Sequence, residues 1–326
     1  MAAAAAKKPR VSQRSLMTRM ARSLLPLVCC FSLVGMTLSM PTAPPLQETG
    51  DTFTFNWSLV PNEWYEVVVA LLPLARASPP LDGLDVFSGC KHMATSMYKA
   101  SWAVLTFEKL DDDVGEDILT DWGISHLIWM VLRVKRGGLV FLGPPCKSWI
   151  FLTCPATGRT KLNPAGRWSS KIARLGNKIA DMVSRVIMLC TALGIFWIIE
   201  QPMRSLMHKF QPIHDVNTLL DVVRTSFPMA AFGHHAFKQT VLWGTTPWLK
   251  LFGDHARRLP IAEDVMTLAN HDIAGGVTGD PEGLEDSAKY PPAFCELIVL
   301  FHSRFLERQA WCGEQHDGRV VRRRYE

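Results

Sequence analysis

Four short apolar runs constrain this chain more than any other feature: GLDVF at 83–87, AVLTF at 103–107, GLVFLG at 138–143 and IFWIIE at 195–200. A strand that is apolar along its whole length, rather than at alternate positions, has both faces covered. Between the runs lie stretches of helical length and spacing, one near 124–134 and a longer one at 170–193 that repeats Ile172, Leu175, Ile179, Val183, Val186 and Ile187. The spacing therefore predicts an α/β fold with a doubly wound, mostly parallel sheet. Beyond these runs the pattern reads as a helix over 215–227 and as strands near 228–232 and 240–244. In sheets of this kind, ligands bind off the carboxyl ends of the strands, so the residues just after 87, 107, 143 and 199 are the candidates for chemistry.

Charge is distributed unevenly. The chain of 326 residues has a formal net charge of +5. Residues 1–47 hold six bases (Lys7, Lys8, Arg10, Arg14, Arg19 and Arg22) and no acid, leaving 29 bases against 30 acids in the rest. Any affinity for nucleic acid must come from a local patch. The acid-free start, followed by the apolar run LLPLVCCFSLVGMTL at 24–38, reads as a targeting segment, either a secretory signal or an organellar transit peptide. Organellar or nuclear residence and secretion are all compatible with it. Fifteen apolar residues with Pro26 among them fall short of the ~20 needed to span a bilayer, so no stable membrane span is expected. The expected organisation is a targeting or irregular segment at 1–47, a linker and N-terminal helix at 48–81, the α/β domain at 82–305 and a basic tail at 306–326.

Eight cysteines without a C-x-x-C pair or a zinc-type spacing point to a reducing compartment and to mostly buried thiols. The His234–His235 pair and His255 have no ligand spacing either, and no metal is expected.

Each strand end carries a candidate group. Phe87-Ser88-Gly89 is a tight turn where a ligand can approach the backbone. Glu108, about twenty residues further on, stands where an acid would meet the ribose hydroxyls of a nucleoside cofactor. Gly143-Pro144-Pro145-Cys146 presents a thiol on a proline-stiffened exit, and the neighbouring Lys147 gives a reason for a lowered thiol pKa. Glu200-Gln201-Pro202 places a carboxyl after an apolar strand, where it would remain protonated and serve as a proton donor. Between Cys146 and Asp181 there are seven bases and no acid: Lys147, Arg159, Lys161, Arg167, Lys171, Arg174 and Lys178. With Trp149, Phe151 and Trp168 among them, they read as a mobile basic-aromatic loop able to contact phosphates and stack on a base.

Together LDVFSG, Glu108, GPPC and EQP, with FKQT at 237–240 as a reduced basic motif, resemble the 5-cytosine DNA methyltransferases. The order GGL, GPPCKSW, GN, IEQP, SLM, YPPAF is similar to a divergent algal, particularly dinoflagellate, group of methyltransferase-like proteins. The match covers about residues 82–302. The resemblance implies a Rossmann-like methyltransferase fold, S-adenosylmethionine as cofactor and nucleic acid as substrate, DNA ahead of RNA. It implies Cys146 as the nucleophile at carbon 6 of an extruded cytosine and Glu200 as the partner of ring nitrogen 3. By the same resemblance Phe87, Ser88, Gly89, Glu108, Asp117 and Pro144 would hold the cofactor. Lys147, Arg159, Lys161, Arg167, Lys238 and Thr240 would serve the substrate. The chain departs from the family pattern at Lys147, Gln201 and Lys238, and only about fifty residues separate Thr240 from Tyr290, where a target-recognition domain would stand. A nucleic-acid-binding descendant without catalysis is the alternative.

Overall fold

The computed structural model describes residues 55–109, 115–263, 265–266, 269–271, 277–279 and 288–322, the last thirteen and the two short internal segments by their main chain. The expected targeting segment, the acids Asp111–Asp113 and Arg323–Arg324 lie outside the described residues.

Within the unit that begins at Phe55, the order is α1 (Tyr65–Arg76), β1 (Leu81–Val86), α2 (His92–Lys99), β2 (Val104–Phe107), α3 (Asp121–Arg133) and β3 (Val134–Leu142). There follow α4 (Cys154–Thr157), α5 (Lys171–Ala192), β4 (Phe196–Pro202), α6 (Gln211–Leu219), β5 (Val223–Pro228), β6 (Gln239–Gly244) and α7 (Leu249–Ala256). A small hairpin, β7 (Ala269–His271) and β8 (Val277–Gly279), precedes α8 (Pro292–Arg322). Helix α8 continues through most of what the sequence suggested was a tail.

Six strands form one sheet in the order β2-β1-β3-β4-β6-β5. The pairs β1–β2, β1–β3 and β3–β4 are parallel, whereas β6 runs antiparallel to both β4 and β5. The sheet is thus mostly parallel and flanked by helices, as the continuous apolar strands required. One face carries α2, α7 and the start of α8, packed through Met93, Met97, Phe252, Phe294 and Ile298 against Phe141, Ile198, Phe227 and Leu242. On the other side α1 packs against α3, and α5 against α6.

Two of the expected elements are corrected. The stretch 215–227 is not one helix: α6 ends at Leu219, and VRTSFP forms β5 with Thr225 and Phe227 buried. The β-branched Val223 and Thr225 favour the pleated surface, and pairing along β6 outweighs a helical continuation. Met229–Phe232 is a 3-10 turn rather than a strand. Among the five cysteines whose side chains are described, Cys190 and Cys295 are buried, Cys90 is exposed, and Cys146 and Cys154 are intermediate; the expectation of mostly buried thiols fits two of them.

The junction of α8 with the sheet fixes a histidine tautomer. Trp248 Nε1, which can only donate, reaches His302 Nδ1 at 3.3 Å, so Nε2 carries the proton and donates to the Gly137 carbonyl at 2.9 Å. Burial pulls the His302 pKa down to about 4, keeping the ring neutral.

At Gly244, β6 lies close against β4. A Cβ there would stand 2.0 Å from the Trp197 carbonyl oxygen, a main-chain atom that cannot turn aside. Gly244→Ala is therefore expected to lower unfolding stability by about 1–3 kcal/mol, although alanine suits a strand better than glycine; urea unfolding checks it.

Candidate active site

The turn after β1 is held in an uncommon conformation. Phe87 and Lys91 have φ of 62° and 60°, and Gly89 has 48°. Left-handed backbone at bulky residues costs on the order of 1–3 kcal/mol each, and persists only where neighbours over-determine it. Here Phe87 N–H donates to Phe107 O at 2.8 Å, Lys91 N–H to Ser88 O at 2.7 Å, and Gly89 N–H to Glu108 Oε2 at 2.8 Å. Glu108, 9% exposed, is fixed in turn by Glu116, whose Oε2 accepts its main-chain N–H at 2.7 Å. Behind Glu116, His126 Nδ1 stands 3.6 Å from Oε1, with the imidazole stacked between Trp122 and Trp129. Burial and the Arg133 charge hold His126 down to about 4. Asp117 lies at the edge, ion-paired to Lys109 at 2.6 Å.

Ser88 Oγ is buried without a hydrogen-bond partner, and a Cβ on Gly89 would meet nothing within 4 Å, so a polar orphan and open space sit side by side. The start of α2 is already occupied by a carboxylate: Asp85 Oδ2 accepts from Ala94 N–H at 3.0 Å. A phosphate at this helix start would face Asp85 and Glu108. A ligand with a cationic centre suits these acids better.

At the other half of the site, β3 pairs with β4 through Leu142 and Ile199, so the exits of the two strands are adjacent. Gln201 Nε2 donates to Pro144 O at 2.5 Å, and Ser205 Oγ donates to Gln201 Oε1 at 2.9 Å, fixing the proline exit against β4. Glu200 is 5% exposed. Its Oε2 accepts from the Tyr290 hydroxyl at 2.9 Å, and its Oε1 stands 3.4 Å from Lys238 Nζ. The surroundings of this carboxylate are therefore an ammonium and a phenol rather than the apolar pocket expected. Cys146 lies within electrostatic reach of both Lys238 and Glu200. Burial pushes the thiol pKa up, Lys238 pulls it down and Glu200 raises it, with a net upward shift. This corrects the expectation of a lowered pKa: exposed Lys147 does not offset desolvation, and the relevant cation is Lys238.

The structure thus brings together Phe87, Ser88, Gly89 and Glu108 at one strand end, and Cys146, Glu200 and Lys238 at the next, with Pro144 between β3 and β4. Two of the expected substrate residues fall elsewhere. Thr240 is fully buried on β6 with its hydroxyl turned to the Lys238 carbonyl at 3.4 Å. Arg159 is 1% exposed, with its guanidinium 3.4 Å over the Trp149 ring and donating to Ser148 Oγ and the carbonyls of Pro164 and Ala173. It is a strut that ties the basic segment to α5, not a phosphate contact, so the segment is bound down rather than free. Arg167 is exposed but donates to Pro155 O. Lys147, Lys161, Lys171 and Lys178 remain on the surface, with Trp168 at 85% and Leu162 at 98% exposure. Asp85, Glu116, His126 and Tyr290 stand in contact with this region without having been expected there. The signal for Asp85 was an acid inside an otherwise apolar strand. Among the described residues no group of three or more His, Cys, Asp or Glu could hold a metal, and no helix is long and apolar enough to cross a membrane.

No family model matches the chain, and no curated protein matches it. Among solved structures, it is similar to a protein described as a DNA modification methyltransferase encoded within a prophage (E. coli), at 14% identity and a TM-score of 0.32. The likeness covers 53% of this chain and 48% of that one, so the chain spans about half the length of the neighbour.

Asp85 provides a test of the site's electrostatics. Burial raises its pKa to about 7, the Ala94 N–H opposes the rise, and Glu108 adds to it. Between pH 4 and 7 the folded state keeps a proton that the unfolded chain releases, so stability falls as pH rises through that window and levels off above it. At 1.4 kcal/mol per pH unit the total is on the order of 4 kcal/mol. Asp85→Asn, which retains an acceptor for Ala94, is expected to flatten this slope in urea unfolding followed from pH 4 to pH 8.

Proposed function

We propose that this chain is an S-adenosylmethionine-dependent methyltransferase that acts on carbon 5 of cytosine in nucleic acid, DNA ahead of RNA. The observation that carries the reading is the convergence of Cys146, Glu200 and Lys238 at the exits of β3 and β4, next to the strained turn with its orphaned Ser88 hydroxyl and its acid Glu108. Bound S-adenosylmethionine would supply an electrophilic methyl group. Phe87, Ser88, Gly89 and Glu108 would hold it, with Pro144 and Asp117 at the margins, and the acids of the turn would favour its positive charge.

The residues of the chain divide the remaining work. Cytosine carbon 5 is a poor nucleophile until a thiolate adds to carbon 6. Cys146 would supply that bond, its thiol proton passing to Glu200 and from there to ring nitrogen 3, where the electron pair displaced by the attack arrives. The raised Cys146 pKa means that the thiol must shed its proton as the base docks, and Lys238 is the cation that lowers the cost. Loss of the carbon 5 proton and departure of the thiolate would restore the aromatic ring. A base inside a duplex cannot present carbon 6, so the nucleotide must leave the stack. The upward shift of the thiol pKa also favours a second reading, a nucleic-acid-binding relative without turnover.

Transfer of labelled methyl from S-adenosylmethionine to DNA and RNA by the full chain, wild type beside Cys146→Ser, tests the reading. Transfer that persists at the wild-type rate in Cys146→Ser would sink the covalent mechanism, and absence of cofactor binding by calorimetry would sink the methyl-transfer reading as a whole. The surface lysines give a second test. Replacing Lys161, Lys171 and Lys178 by alanine is expected to lower the salt slope of nucleic-acid binding by up to about 3, at roughly one per lost phosphate contact. Arg159→Ala instead lowers thermal stability, because its role is internal.

A further inference from the structure

We propose that Tyr290 is a positioning residue that sets which oxygen of Glu200 meets the substrate, and that it links the cofactor turn to the catalytic carboxylate. The link uses both ends of the residue. Its hydroxyl donates to Glu200 Oε2 at 2.9 Å, while its main-chain carbonyl lies 2.5 Å from Nδ1 of His92, the first residue of the helix that follows the cofactor turn. Its ring packs edge-on against Phe141 of β3, at 5.6 Å between centroids, and Lys238 Nζ is 5.7 Å from the ring. One side chain therefore touches β3, β4 and the Lys238 ammonium.

The arrangement makes the two carboxylate oxygens unequal. Oε2 is occupied by a phenol, and burial together with Glu200 raises the phenol pKa well above its ordinary value, so it remains a donor throughout the working pH range. Oε1 is buried with no hydrogen-bond partner, with Lys238 at 3.4 Å. The oxygen next to the cation is thus the one left for a ring N–H or a protonated ring nitrogen. Without the hydroxyl, the carboxylate would be free to rotate and to turn both oxygens toward Lys238.

Gly143, the first residue of the proline-stiffened exit, bears on the same contact. A Cβ there would stand 2.5 Å from the Tyr290 hydroxyl oxygen and 3.5 Å from the ring carbon that carries it. The Gly143 backbone is not left-handed, so the hydroxyl is the principal obstacle to a side chain. The strand exit bearing the candidate nucleophile and the donor to the candidate acid are fitted to each other at one atom.

This inference rests on the methyl-transfer reading only for the identity of the substrate, and its test separates the two. In the full chain, the pH profile of Cys146 alkylation by iodoacetamide, read on the Cys146 peptide by mass, should move to higher pH in Tyr290→Phe. With the phenol gone, the full Glu200 charge acts on the thiol and engages Lys238 more closely. In a Glu200→Gln background, Tyr290→Phe should move nothing. Gly143→Ala should lower the thermal unfolding temperature, and Tyr290→Phe should restore most of the loss in the double variant, since the remaining 3.5 Å approach is an ordinary contact. For methyl transfer, Tyr290→Phe should lower kcat while leaving the KM for S-adenosylmethionine unchanged. Superimposable alkylation profiles for wild type and Tyr290→Phe, or a Gly143→Ala defect that the double variant retains in full, would overturn the proposal. An alkylation shift in a chain that transfers no methyl group would retain the positioning role and reject the methyl-transfer reading.

Discussion

The parallel pairing of β3 with β4, with Leu142 opposite Ile199, places the exit that carries Cys146 next to the strand that carries Glu200. The two residues are 54 apart in sequence, and the intervening chain has to cross over the sheet through α5 to return parallel. The antiparallel β6 then lies along β4, with Thr240 opposite Pro202 and Leu242 opposite Glu200, which brings Lys238 to the same end of the sheet. A one-residue slip of either pairing would turn Glu200 to the other face and separate the acid from both the thiol and the ammonium. The register is held by burial on both faces: Val140, Phe141, Leu142, Ile198 and Ile199 have no exposed surface.

Charge burial at this sheet end costs stability, and the structure offsets it locally. Asp85 has the Ala94 N–H, Glu108 the Gly89 N–H, Glu116 the Glu108 N–H, and Glu200 the Tyr290 hydroxyl and Lys238. Four acids near one another would repel if each relied on solvent, which is nearly excluded here. Main-chain donors bond three of them, and Glu200 lies beside the Lys238 ammonium.

The fold and the site were legible in the sequence to different depths. Continuous apolar runs such as GLVFL and FWII report burial on both faces directly, so β3 and β4 could be read as parallel strands from composition alone. β5 could not: VVRTSF suits a helical face nearly as well as a strand, and its pairing with β6, where Phe227 meets Thr240 and Pro228 meets Gln239, decides between them. Strand ends flagged Glu108, Cys146 and Glu200 because polar residues stood where apolar runs stopped. Lys238 came from the family resemblance, and its role beside Cys146 is a tertiary fact. Arg159 was misassigned because a basic residue in a basic segment reads as surface, and nothing local says that Trp149 and Ser148 enclose it. Tyr290 was legible only as part of a motif, since its partners His92, Gly143 and Glu200 lie 198, 147 and 90 residues away.

The enclosed Arg159 also bears on how a substrate could reach Cys146. A guanidinium stacked on Trp149 and bonded to three acceptors on either side of the segment pins residues 148–173 to the start of α5, and Gly176 lets them sit close, since a Cβ there would stand 2.0 Å from Ser148 Oγ. The groups left outside this clamp are Lys161, Leu162, Trp168 and Lys171, all of them exposed. A nucleic acid engaged by them would meet a fixed basic platform with an exposed indole. Stacking on such a platform discriminates poorly between bases, because every base offers a π face. Under the proposed reading, selection among bases would fall to Glu200, whose carboxylate has one oxygen held by a phenol and the other beside an ammonium.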